Sequence, residues 1–268
     1  ILLDVVRNYD EKTAVEDYPD GVFVEFSKNY GSNCGITVCG QYDEKNRFHI
    51  EYYFPFFRGT GITTQEQVTV ERHADREAFS GACDDLRIGI TLIFYLQNGT
   101  EYMLEKQKKV PRNRSTTLSG LAGEGRILLP VLKDKEAVKV EKETSTNRSN
   151  LIAAARNGDE EAMESLTMED MDTYSMISHR IVHEDILSIV DSYFMPCGIQ
   201  CDQYSVLGEI LEFHTFENIA TGEELLQMKI DCNNIQFDVC INQKDLLGEP
   251  AVGRRFRGDI WLQGQIHF

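Results

Sequence analysis

The sequence predicts an α+β fold: an antiparallel sheet with a covering helix, a small helical segment, and a C-terminal small antiparallel β-barrel of OB-like size. Three observations carry this. Near the start, short runs alternate β-branched and aromatic residues with polar ones, and their connections are too short to hold helices. A stretch with an apolar period close to 3.6 follows. Four or five more short apolar runs then fill the last 65 or so residues, about the length of a small closed barrel.

Residues 1–8 read as a helix. "DEKTAVEDYPDG" reads as a polar loop closed by the turn signal Pro19-Asp20-Gly21. "VFVEFS" alternates between two faces and is a strand. "GITVCGQYD", "RFHIEYYFPFF" and "QVTVERH" continue an antiparallel meander. From Arg76 the pattern changes. "REAFSGACDDLRIGITLIFYLQNGTEYMLEKQKK" spaces Phe79, Leu86, Ile90, Ile93, Phe94 and Leu96 as one long helix, or as two broken near Gly81. "TLSGLAGEGRILLP" reads as two short apolar runs around a glycine turn.

"KDKEAVKVEKETSTNRSN" alternates charge and ends in Ser, Thr and Asn, so it is an exposed helix plus loop or a linker. The expected layout is an α+β domain at 1–132, a linker at 133–150, a helical connector at 151–196 and the barrel at 197–268. In the connector, Asn157-Gly158 stops one helix and Asp159 caps the next. Thr167 with Asp170 approximates a further capping box. "HEDILSIVDSYFM" reads as another helix. In the barrel, Gly208, Gly253, Gly258 and Gly264 mark bends or close approaches, and Trp261 is assigned to the core.

Composition bounds the function. At 268 residues, 41% hydrophobic and 26% charged, the chain folds rather than remaining disordered. Net charge is −17, and residues 151–268 hold 21 acidic side chains against 7 basic. Such a field repels nucleic acid and anionic membranes, and suits a basic protein partner. No run of 18 apolar residues occurs, so no membrane span is expected. The seven cysteines are odd in number and lack C-x-x-C spacing, which points to reduced thiols in a cytoplasmic protein. The opening "ILLDVV" is too short for a signal peptide and reads as the end of a helix whose start is missing.

Reactive residue types crowd between Tyr52 and Asp85. "RGTGITTQE" brings Arg58, Gly59, Thr60, Gly61, Thr63 and Thr64 together as a candidate anion- or ligand-binding turn, with His73 nearby. It lacks the lysine and spacing of a phosphate loop. "ERHADREAF" and "ACDD" add Glu71, Asp75, Cys83, Asp84 and Asp85. The two aspartates beside Cys83 oppose formation of a thiolate, so Cys83 is not expected to be a nucleophile. "HRIVHED" sets His179 and His183 one turn apart, without the intervening spacing of a zinc protease helix. "GRRFRG" holds Arg254, Arg255 and Arg257, a candidate partner-binding patch or a grip on single-stranded nucleic acid; intradomain salt bridging is the plainer reading. No motif calls for a metal or a cofactor, and none has the paired geometry of catalysis.

The strings "NYDEKTAVEDYPDGVFVEFSKNYG", "FRGTGITTQEQVTVERHA", "GACDDLRIGITLIFYLQN", "AAARNGDEEAMESLTMEDMDTYSMIS" and "FDVCINQKDLLGEPAVGRRFRGDIWLQG" span nearly the whole chain. Together they resemble an uncharacterised domain-of-unknown-function family of anaerobic Gram-positive bacteria. The resemblance implies a bacterial cytosolic protein. It brings no activity, ligand or catalytic residue. The expectation is therefore a non-catalytic binding or scaffolding protein with a protein partner. A small-molecule or anion binder, or an enzyme, with a pocket near Arg58–Thr64 is the alternative, and single-strand binding through the barrel is the next.

Overall fold

Alternation in β2 (Gly21–Gly31) organises the first layer. Val22, Val24 and Phe26 point one way, and Phe23, Glu25 and Ser27 the other. The first set packs under α1 (Leu2–Arg7), where Val5, Tyr30 and Val38 complete a cluster. The second set faces the larger sheet, where Phe23 meets Phe54, Phe56, Ala78 and Tyr95. β2 is therefore buried on both faces, which is why it carries large apolar residues in both phases. It belongs to a four-stranded antiparallel meander with β1 (Glu11–Tyr18), β3 (Cys34–Tyr42) and β4 (Phe48–Phe57), in sequence order. The chain is described in a computed structural model over residues 1–18, 21–74, 78–85, 87–88, 90–108, 115–131, 147–148, 150–155 and 157–268. The Pro19-Asp20 half of the expected turn and most of the expected linker lie outside those residues.

The second sheet has ten strands among the described residues. β5 (Val68–Arg72), β6 (Phe79–Asp85) and β7 (Ile90–Leu96) form one antiparallel wing. β8 (Ser115–Leu128), β10 (Gln203–Glu217), β11 (Glu224–Cys232), β12 (Ile235–Asn242) and β14 (Arg255–His267) form the rest, with short β9 (Tyr193–Pro196) and β13 (Leu246–Leu247) alongside. β8 pairs with β12 in parallel and with β14 antiparallel, so the pairings β8–β12–β11–β10–β14 close on themselves. Their inward residues, among them Phe94, Tyr204, Phe237, Phe256 and Leu262, form the largest core. Strands from both sides of residues 133–150 share this one sheet.

Several expectations change. The helix expected from Arg76 to Lys109 is β6, β7 and only then α2 (Gly99–Gln107). Asp85 turns the chain by accepting the backbone N–H of Arg87 and pairing with its guanidinium. A nine-residue apolar run cannot be told from a buried helix by period alone; its β-branched and aromatic content was the better guide. Gly81 and Gly264 then explain themselves: a Cβ on either would lie 2.2 or 2.5 Å from the Phe94 ring. The polar stretch before Pro19 is strand β1, zipped to β2 from Glu11 onward. "TLSGLAGEGRILLP" is not a hairpin: all but its last two residues lie in one continuous 14-residue strand.

The connector is also simpler than expected. Gly158 adopts φ +88° and Asp159 accepts the N–H of Ala162, as the stop and cap require. Thr167 starts nothing; its hydroxyl donates to the carbonyl of Met163 within a single helix α3 (Glu160–Ile181). The last expected helix shrinks to α4 (Ile186–Ile189), with β9 following it. Trp261 sits on β14, but its side chain packs against the inter-sheet cluster beside Tyr95 and not into the core of the closed circuit, with its indole N–H on Asp202. Among the described residues no helix is long and apolar enough to cross a membrane.

Candidate functional site

The loop after β4 is fixed before it begins. Gln263 on β14 donates to the carbonyl of Pro55 and accepts from the N–H of Phe57, while Gln97 donates to the Phe57 carbonyl and to Gln263. Both amides are buried, and Ser119 on β8 adds a further bond to Phe57. This polar clamp holds the end of the small sheet against β7, β8 and β14.

Arg58 leaves the clamp with its guanidinium stacked 4.6 Å from the Phe56 ring centroid. Both terminal nitrogens reach Glu11 on β1, each at 2.7 Å, and this pairing holds the Glu11 carboxyl below its usual range. Thr60 gives its N–H and its hydroxyl to the same carboxylate oxygen of Asp238, at 2.5 and 2.8 Å. Asp238 sits on β12 and is 1% exposed. Gly61, at φ +76°, turns the loop, and its carbonyl accepts the Thr117 hydroxyl. Thr63 and Thr64 pair with Thr116 through the backbone, and the Thr63 hydroxyl accepts the N–H of Leu118.

Thr60, Gly61, Thr63 and Thr64 therefore do converge, but on β8 and β12. Arg58 and Thr60 give their donors to carboxylates of the protein itself, and the N–H groups of Thr63 and Thr64 go to the Thr116 carbonyl. Gly59 is pressed to the Leu118 carbonyl, 2.6 Å from where a Cβ would stand. His73 is placed elsewhere. Its Nε2 lies 2.9 Å from the Ser80 hydroxyl, and its backbone N–H donates to Ala78 in the β5–β6 hairpin. Cys83 is buried on β6, where burial and then Asp85 push its thiol up to about 12.

The arginine patch separates in the same way. Arg255 is 7% exposed and donates to three backbone carbonyls: Leu129 after β8, Val190, and Leu187 of α4. It ties three segments together through carbonyls, where salt bridges were expected. Arg254 bonds the Glu249 carbonyl, and Arg257 reaches the Tyr193 hydroxyl. Phe256, between them, is fully buried. The three guanidinium groups do not form one exposed basic face.

A cavity of about 290 Å³ lies between the two sheets, and no motif in the sequence announces it. Its walls come from the ends of β2, β3 and β4 on one side and from β8, β11 and β12 on the other, with the Asn218–Thr221 turn at the mouth. Arg58, His73 and Cys83 do not line it. Cys34 and Cys240 do, and burial pushes their thiols up to about 11 and about 12. The wall residues are more than 200 positions apart at the extremes, so no local spacing marks them. Among the described residues no three His, Cys, Asp or Glu side chains are grouped to hold a metal.

Comparison with curated proteins and with solved structures finds no match. Over residues 1–264 the sequence matches the family model described as a domain of unknown function from an E. rectale gene, and the chain belongs to that family, DUF3881.

Proposed function

We propose that the protein is a non-catalytic binding protein that engages a basic protein partner through α3. One observation carries the reading: α3 runs for 22 residues and leaves Met163, Met168, Met171, Tyr174 and Ile181 exposed. Glu160, Glu161, Glu164, Glu169, Asp170 and Asp172 stand among them. Methionine surfaces adapt to varied apolar partners, and a dense acidic field steers cations toward them. In this reading the five-strand circuit is an OB-like barrel that receives one strand, β8, from the N-terminal side. It acts as the rigid mount, residues 151–196 are the presenting connector, and the protein works in the cytoplasm with its thiols reduced.

The test is affinity capture from native host extract with the whole chain and with an M168S/M171S/Y174S variant. The wild type is expected to retain a protein of net positive charge, released by salt, that the variant loses. Recovery of the same proteins by both chains, or of none by either, overturns the reading.

A further inference from the structure

We infer that the cavity between the two sheets is a binding site for a small, neutral, largely apolar molecule of about bicyclic-aromatic size. This is independent of the partner proposed for α3, since it rests on a different surface.

Size comes first. The cavity measures about 290 Å³, roughly twice the ~150 Å³ of an apolar cavity that takes up benzene. Its walls are built by Ile36, Pro55, Phe56, Leu121, Leu225 and Ile241. Three small residues, Gly35, Ala122 and Ala220, leave the room. Gly35 cannot be larger: a Cβ there would stand 2.0 Å from the Lys28 carbonyl oxygen. A mainly apolar cleft where two sheets meet, with a few polar groups at its mouth, is the usual form of a small-molecule site.

Charge comes next. Among the described residues no Lys, Arg, His, Asp or Glu side chain lines the cavity. Cys34 and Cys240 remain uncharged thiols at neutral pH, because burial raises both. An ion entering here would lose its hydration with no charged side chain on the walls to replace it, so the ligand is neutral.

The mouth supplies a few polar groups, among them Asn218, Thr221 and Asn242. Asn218 spends its side-chain oxygen on the N–H groups of Ala220 and Thr221. Asn242 is engaged at both ends, by Glu223 and by the N–H of Lys244. Thr221 accepts the N–H of Glu223. The Asn218 amide N–H groups have no such bond among the described residues, and they offer donors to the ligand. The molecule therefore carries an acceptor, such as a carbonyl or ether oxygen, at its outer end.

The test titrates the whole chain with N-phenyl-1-naphthylamine, a neutral probe whose fluorescence rises in apolar surroundings. The sulfonated analogue 1-anilinonaphthalene-8-sulfonate is run beside it. Saturable one-to-one binding of the neutral probe is expected, with the sulfonate at least about tenfold weaker. L225W fills the cavity and A220W covers its mouth; each should weaken the probe about tenfold or more. Ala220 lies on an exposed turn, so A220W tests the site even if L225W does not fold. The M168S/M171S/Y174S variant should bind the probe as the wild type does. The inference is overturned if the wild type shows no saturable binding, if the sulfonate binds as tightly, if A220W leaves affinity unchanged, or if the α3 variant abolishes it.

Discussion

Glu25 should make the protein less stable as pH rises through neutrality, and a single substitution should remove that slope. Glu25 projects from β2 into the inter-sheet space and is 9% exposed, with the Cys39 sulfur 4.0 Å away. Burial pushes its carboxyl from 4.5 up to about 7, although Thr100 in the first turn of α2 and the Arg58 charge pull it back. The N-cap of α2, Asn98, makes no side-chain cap bond, so Glu25 stands where that helix end has N–H groups to satisfy. In the unfolded chain the carboxyl ionises near 4.5; in the folded one, near 7. The fold thus favours the protonated form. Below pH 4.5 there is no penalty, between 4.5 and 7 it grows, and above 7 it is constant. The pKa difference of about 2.5 units, at 1.36 kcal/mol each, amounts to about 3 kcal/mol. E25Q keeps the shape and never ionises. Urea unfolding of both chains from pH 4.5 to 8.5 isolates the effect, because every other titrating group cancels in the difference. The two stabilities should be close at pH 4.5, and E25Q should lead by about 3 kcal/mol at pH 8. Parallel curves would refute the reasoning, since Glu25 would then ionise alike in both states.

Two further outcomes test the packing and the arginine tie. G264A should destabilise by about 1–3 kcal/mol, because its new methyl meets the Phe94 ring sandwiched between Gly81 and Gly264; G123A, with open space at its Cβ, is the control and should stay within about 0.5 kcal/mol. Equal urea midpoints for the two would remove the overpacking argument. R255M strips three backbone carbonyls of their donor and should lower stability by about 2–5 kcal/mol; limited proteolysis should then cut between residues 187 and 196 several-fold faster, and unchanged cleavage would count against the tie.

The strands of the small sheet were legible because their signals are local. "VFVEFS" and "RFHIEYYFPFF" alternate in a period that only a strand can use, and they fold as β2 and β4. The Asn233-Asn234 pair closes the β11–β12 hairpin with both residues at positive φ, as a two-residue turn demands. The segment from Phe79 to Leu96 was misread because an apolar run fits either period, and the deciding contacts are distant: Tyr204 accepts the Ile93 N–H, and Gly264 makes room for Phe94. The candidate loop was legible as a turn. Its neutralisation was not, since Glu11 and Asp238 lie 47 and 178 positions from their partners.

By itself the sequence determined the class of the fold, the acidity of residues 151–268, the capped start of α3 and the poor character of Cys83 as a nucleophile. Each follows from composition or from neighbours within a few positions. Only the tertiary structure decided that β8 joins β12 and β14, that Arg255 is a buried tie and that an apolar cavity lies between the sheets. Those features depend on which distant strands become neighbours. That choice is made by burial summed over the whole chain, and no single segment records it.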